Sequence, residues 1–450
     1  MKKSKWLTLF LVSIMVLSLF AGCTNDSSSS DNGDKGAEEE KAWTGEITVW
    51  DAPRWADEND NKFHWIEAKA AEFEQAHPGV KVKIVQKPWA EMADNLNVAI
   101  AGRAWPDVAP VDISGGAVSE KQVEQGVIES MDPFLTEEEL ADFYPNALDA
   151  YTVEGKLYGV PTALTVHAML LNLDIFEAQN VEPPKDGKWT FAEFAEKMKQ
   201  LTHDKDGDGK DDVFGFSTYI LPGYYEAWPF FFINGGRPLS DDLSEYTFDD
   251  PAVVSAVKQL ADLKLIDNAA PQEMGGADVG GTWKAFADSA QRTVAVEPWA
   301  TWAIQAAQGE KFKTNFMVAE YPTGETGEPV TISGVGGWVM FHQEDEAKKK
   351  VVAEFIKYIS ATEEQVLAAK KYGVFPARES AADQNPFADN PAMARAQELT
   401  THGVSLPRHT EWKKIDEVIQ KELQLVFNGE KTAEQALKDA RPAVEEFLNK

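Results

Sequence analysis

From Glu46 onward, apolar and polar positions follow two rhythms. Glu46-Ile47-Thr48-Val49-Trp50 has the period of two of a strand, and Asn61 to Gln75 places Phe63, Ile66, Ala70 and Phe73 at helical spacing. His77-Pro78-Gly79 stops that helix, and Val80 to Val85 alternates again as a second strand. Ala90 to Ala101 reads as a helix, and Val108 to Val111 as a short strand after the Trp105-Pro106-Asp107 turn. Strand–helix–strand alternation of this kind predicts parallel sheets covered by helices, an α/β fold. Lys156 to Pro161 and Ala168 to Asn172 are apolar pieces suited to bridging two lobes. The last third is mainly helical, with expected helices at 347–359, 363–371, 391–400, 412–427 and 433–448, and no internal repeat is present.

The N-terminus breaks both rhythms. Lys2, Lys3 and Lys5 precede an uncharged stretch from Trp6 to Ala21, followed by Gly22 and Cys23, the only cysteine of the chain. A cationic head, an apolar segment and small residues at its end read as a secretory signal over 1–22. The apolar run falls short of the roughly 20 residues that cross a bilayer as a helix. An uncleaved anchor with an incidental cysteine is the alternative. Residues 23–43, with Ser27 to Ser30 and Glu38 to Glu40, are almost devoid of apolar side chains and are expected to form a flexible tether. With one cysteine there is no internal disulfide, so stability must come from a large core.

Composition narrows the function. The 450-residue chain is 43% hydrophobic and 26% charged, a globular profile whose length from residue 44 onward suits two domains. Its formal charge is −31, and loss of residues 1–22 would remove three lysines and no acids. That argues against nucleic acid, anionic membrane surfaces and acidic partners, and favours a neutral ligand or a cation. Fourteen tryptophans are present, several in loop-like contexts: Trp55, Trp89, Trp228, Trp299, Trp302 and Trp412. A flat apolar face with one N–H donor suits rings with apolar faces and hydroxylated edges, although any single tryptophan is more often core.

The order of these pieces resembles the sugar-binding proteins of bacterial ABC importers, extracellular solute-binding proteins of the group that includes maltose-binding protein. The resemblance rests on Phe73-Glu74-Gln75-Ala76-His77-Pro78-Gly79-Val80, Pro106-Asp107-Val108, Leu157-Tyr158-Gly159-Val160-Pro161 and Leu171-Asn172-Leu173-Asp174-Ile175-Phe176. It continues through Val296-Glu297-Pro298-Trp299-Ala300, Gly334-Val335-Gly336-Gly337-Trp338 and the stretch Asn428 to Leu437. Leu19-Phe20-Ala21-Gly22-Cys23 in turn resembles the bacterial lipoprotein box, with Phe20 in place of the usual Leu; the thiol of Cys23 would then carry the lipid. The resemblance implies a two-lobed periplasmic-binding-protein-like fold of type II with the ligand cleft between lobes. Mapped here, lobe 1 is 44–162 and 330–378, lobe 2 is 163–318 and 380–450, and 319–329 is a hinge crossing. It implies a non-enzymatic, monomeric protein, lipid-anchored on the extracellular face of a Gram-positive cytoplasmic membrane. Such a protein hands an oligosaccharide to ABC permease subunits.

The resemblance also points to ligand contacts. Trp299 is expected to stack on sugar from the loop that carries it, with Trp302 packed beneath. Tyr224, Tyr225 and Trp228 share the short loop Leu221 to Trp228 with Glu226, and Trp338 lies in the Gly-rich strand. Trp412 starts a helix where maltose-binding protein has a further stacking Trp; packing on its own lobe is the alternative. Asp51 and Arg54 follow the first strand and Asp112 the third, at carboxyl ends where open α/β sheets bind ligands. Trp89 would add an aromatic wall, and His167 either bonds a hydroxyl or is a satisfied structural residue.

One motif lies apart. Asp204, Asp206, Asp208 and Asp212 occupy positions 1, 3, 5 and 9 of a calcium-type loop, with Gly209 at the turn position. The twelfth position is Gly215 rather than a bidentate Glu, which excludes a full EF-hand. No cofactor is required, and structural calcium competes here with an acidic Asp–Gly surface turn. Two rival functions remain open: a secreted glycoside hydrolase, needing paired carboxylates about 5 to 9 Å apart, and a surface polysaccharide-binding protein without transport. No Gly-x-Ser-x-Gly, His-Glu-x-x-His or Walker loop occurs.

Overall fold

The structure is a computed structural model that describes residues 42–111, 120–309 and 311–449. The expected signal, most of the expected tether, Cys23 and Asp112 therefore lie outside the described residues. Among the described residues no helix is long and apolar enough to cross a membrane.

The predicted opening is present. Strands Gly45–Asp51 and Val80–Gln86 run parallel, with Val108–Val111 parallel on the other side of the first. Ile47 and Val49 have no exposure and share one hydrophobic cluster with Ile66, Ala70 and Phe73 of helix His64–Ala76. These strands belong to a ten-stranded mixed sheet, in which the order from one edge is 80–86, 45–51, 108–111, 331–340, 160–172, 294–300, 214–216. Short strands at 375–376 and 316–319 pair with the long strand Val160–Asn172, and 403–404 pairs with Thr331–Met340.

The strand Val160–Asn172 joins the two lobes without a break. Its first half, Val160 to Val166, pairs with Trp338 to Ser333; its second half, His167 to Leu171, pairs with Ala300 to Val296. The change of partner at Val166/His167 marks the passage between lobes, four residues beyond the expected boundary. The return passage also differs from expectation. Residues 319–329 stay with the second lobe: the Glu320 amide donates to the Gly187 carbonyl at 2.9 Å and the Glu325 amide to Asn234 Oδ1 at 2.9 Å. The strand that returns is Thr331–Met340, which pairs with 403–404 at its start and with Val108–Val111 at its end. A register shift falls between Gly336 and Gly337, where a Cβ on Gly337 would stand 2.3 Å from the Val160 carbonyl oxygen. Only glycine permits that approach.

The C-terminal helices match the periodicity closely, at Glu346–Ile359, Thr362–Tyr372, Pro391–Glu398, Trp412–Phe427 and Ala433–Leu448. Asp345, Asn390 and Thr432 cap three of them by accepting backbone N–H groups of the first turn. The middle third adds elements that the periodicity did not mark, notably helix Pro251–Leu265 and strand Val294–Ala300. Two hydrophobic clusters form. One lies within the second lobe, and the other fills the first lobe and extends across to Trp299, Ala303 and Ile304.

Candidate binding site

The carboxyl ends of the first-lobe strands, the two crossing strands and the loops of the second lobe enclose a cavity of about 300 Å³. The crossing strands supply its floor through Thr162, Thr165 and His167 on one side and Ile332, Gly336 and Trp338 on the other. The first lobe contributes Arg54, Trp55, Trp65 and Trp89, and helix Thr362–Tyr372 contributes Glu364, Gln365 and Tyr372. Facing them are Tyr224, Tyr225 and Glu226 of one loop and Trp302, the first residue of helix Trp302–Gln308. This placement follows the rule that ligand sites lie beyond the carboxyl ends of strands in open α/β sheets.

The first-lobe wall is held by its own polar bonds. Arg54 reaches Asp51 through Nε at 3.2 Å and Nη2 at 3.0 Å, and its guanidinium lies 4.9 Å from the ring centres of both Trp65 and Trp338. Asp51 has no exposure; burial pushes its carboxyl above the usual range, and the Arg54 charge opposes that shift. The Trp65 indole N–H donates to Glu364 at 2.7 Å, and Glu364 pairs with Lys69 at 2.7 Å. Trp89 donates to the Pro53 carbonyl at 2.8 Å. Each indole thus lines the cavity while its N–H is spent on the scaffold.

The opposite wall is less tied. Tyr224 and Trp302 are 42% and 44% exposed, two of the few large apolar side chains left open among the described residues. Beneath them sits a cluster of edge-to-face and tilted rings: Tyr219 lies 5.6 Å from Tyr224 and 5.4 Å from Trp299, and Trp299 lies 5.5 Å from Trp302 between ring centres. The loop carrying Tyr224 is held by Asp416, which accepts the Gly223 amide at 2.7 Å and bonds the Tyr225 side chain. Burial pushes the Asp416 carboxyl up to about 7. Glu226 is likewise pushed up to about 7 by burial, and His167, 3.9 Å away, is pushed down to about 4 for the same reason. At neutral pH His167 is therefore uncharged, and Glu226 is divided between its two forms.

Several expected contacts fall elsewhere. Trp299 and Trp302 exchange roles: Trp299 has no exposure and donates to buried Glu297 at 2.9 Å, while Trp302 faces the cavity. The reason is that Trp299 lies within strand Val294–Ala300, paired with Ala168, and all seven residues of that strand are buried on both faces. Pro298 does not signal a loop there, because the neighbouring strand Phe214–Phe216 ends opposite Val296 and needs no N–H from it. Trp228 and Trp412 pack together at 5.6 Å in the second-lobe core, and Trp412 donates to the Tyr225 hydroxyl at 3.1 Å. Neither lines the cavity, and Asp51 acts through Arg54 rather than on the surface. Trp89, Tyr224, Tyr225, Trp338 and His167 do line it, Tyr225 and Trp338 with little exposed area. Trp65, Tyr372 and Glu364 were missed; their helices were legible, but the lobe-to-lobe packing that turns them inward was not.

In the acidic loop, carboxylate oxygens of Asp204, Asp206 and Asp208 lie within 4.8 Å of one another. The fourth expected ligand, Asp212, instead accepts the Lys205 amide at 2.8 Å. Asp204 accepts the amides of Gly207 and Gly209 at 2.6 and 2.7 Å, so the loop closes on its own backbone. Three clustered carboxylates make up part of the six to eight oxygens that calcium takes.

The likeness to known proteins is broad. The maltotriose-binding protein of Pyrococcus abyssi is 22% identical over 378 residues, covering 82% of this chain and 75% of the relative. An ABC substrate-binding protein from Listeria monocytogenes, solved with cycloalternan, superposes with a TM-score of 0.72 at 22% identity over 90% of this chain and 99% of that one. UgpB from Mycobacterium tuberculosis, solved with glycerophosphocholine, gives a TM-score of 0.73 at 18% identity over 90% and 99%. At these identities the structural likeness is one of fold, the two-lobed arrangement described above. The pattern of the bacterial extracellular solute-binding proteins matches residues 68–395, most of the chain, and the protein belongs to that family.

Proposed function

We propose that this protein is the substrate-binding component of an ABC importer and captures an oligosaccharide in the cavity between its lobes. The observation that carries the reading is the open pair Tyr224 and Trp302, facing Trp55, Trp65 and Trp89 across the crossing strands. Aromatic faces with their polar edges turned elsewhere suit the C–H faces of sugar rings, and Thr162 and Thr165 offer short polar partners to hydroxyls. A ligand touching both walls would bridge the lobes, and closure of a two-lobed protein draws on such two-sided contacts. Several facing aromatics favour more than one sugar unit. The described protein that binds maltotriose and the one solved with cycloalternan support the same ligand class. Its family consists of solute-binding proteins rather than enzymes, so the sugar leaves unchanged.

Lipid attachment at Cys23 and residence as a monomer on the outer face of a Gram-positive membrane complete the proposal, supported by the N-terminal pattern. A cell without an outer membrane would lose an unanchored binding protein. The test is a thermal-shift screen against malto-, galacto- and arabino-oligosaccharides, since a ligand at 100 times its Kd stabilises the folded state by about 2.7 kcal/mol. A raised melting temperature with no change in the sugar by chromatography supports the reading. Hydrolysis of the sugar, or no shift with any of them, overturns it.

A further inference from the structure

Among the described residues, the charged groups that line the cavity offer no free cation. Arg54 is the one arginine or lysine among the described residues that line it, and its guanidinium is held in two bonds to Asp51, a carboxylate with no exposure. It also lies over two indole rings, 4.9 Å from the centres of both Trp65 and Trp338. Glu364 is matched by Lys69 at 2.7 Å and by the Trp65 N–H. His167 is uncharged near neutrality and faces an acid, Glu226, at 3.9 Å. Residues 112–119, which are not described, contain no lysine or arginine and cannot add a cation. An anionic group entering this space would lose its hydration with no free cation among the described lining residues to meet it, beside Glu226 and inside a protein of formal charge −31.

We infer that the cavity selects uncharged glycans and rejects those bearing a carboxylate, sulfate or phosphate. The inference rests on the oligosaccharide reading and adds a charge rule to it. It also separates this site from one built for a phosphodiester such as glycerophosphocholine. Glu226, with only the uncharged His167 beside it, and the lack of a spare guanidinium act in the same direction, so the rule does not depend on one residue. Arg54 serves as a positioning residue that sets two tryptophan faces, not as an anion clamp.

The test needs no variant. The neutral oligosaccharide that gives the largest thermal shift is compared by titration calorimetry with two derivatives oxidised at C6 of the unit at the non-reducing end and, separately, at the reducing end. Each is prepared both as the uronate and as the uronamide, which match in size and differ in charge. The expected result at pH 7.5 is a uronamide within about 10-fold of the parent and a uronate at least about 100-fold weaker than its amide, at one end or both. A uronate within about threefold of its amide at both ends overturns the charge rule, whether or not both bind well, and leaves the oligosaccharide reading standing. A screen in which no neutral glycan binds overturns that reading and the rule with it.

Discussion

The two walls of the cavity are built differently. On the first-lobe side Arg54, Trp65 and Trp89 each spend their polar atoms on the scaffold, at Asp51, Glu364 and the Pro53 carbonyl. On the second-lobe side Tyr224 and Trp302 remain open, resting on buried Tyr219 and Trp299. The first wall is pre-organised and presents fixed faces, which lowers the ordering cost of binding. The second keeps its contact area for the ligand. Within it, residues three apart divide the work: Trp299 supports and Trp302 touches.

That division predicts opposite phenotypes. Trp299→Ala empties a fully buried site and should cost about 3–5 kcal/mol of stability, read as a fall in the urea midpoint; a midpoint unchanged within error would deny its supporting role. Asp51→Asn leaves the Arg54 guanidinium partly buried without its counter-charge, and breaking such a pair costs about 3–5 kcal/mol at most. The loss should be smaller than for Trp299→Ala, because Arg54 keeps its two indole faces. Equal stability to the parent would show that the first wall does not depend on this pair.

A smaller effect concerns pH. Glu226 and Asp416 have pKa values raised by burial to about 7, so the folded state holds protons that the unfolded chain releases near pH 4. Their contribution is fully present below that range and is lost as pH rises through 7. His167, lowered to about 4, works the other way, adding stability above pH 6.5 that is lost as pH falls toward 4. Glu226→Gln should therefore flatten the decline in stability between pH 5 and 7.5 by about 1–3 kcal/mol. Urea titrations across that range measure it, and a decline as steep as the parent's would place the dependence elsewhere.

The parts of the fold legible in the sequence are those with one face in water. Strands Gly45–Asp51 and Val80–Gln86 alternate, and the C-terminal helices carry clear apolar stripes with caps at Asp345 and Thr432. Strand Val294–Ala300 is buried on both sides, so it shows no alternation, and its Pro298-Trp299 pair looks like a loop. The same burial hides Trp228 and Trp412. Aromatic richness in the Leu221 to Trp228 segment did mark a loop at the cavity, but which ring faces outward depends on Asp416, almost 200 residues away. Likewise the stretch 319–329 looks irregular in the sequence, while the passage between lobes runs through the regular strand Val160–Asn172.

The central claim, that the open second-lobe aromatics hold the ligand, is tested most directly by Trp302→Ala. Calorimetric titration with the best oligosaccharide, beside a melting curve, should show about 10- to 100-fold weaker binding, as for a buried aromatic anchor. The melting temperature without ligand should stay within about 2 °C of the parent, because Trp302 is 44% exposed. Unchanged affinity in a normally folded variant would contradict the account.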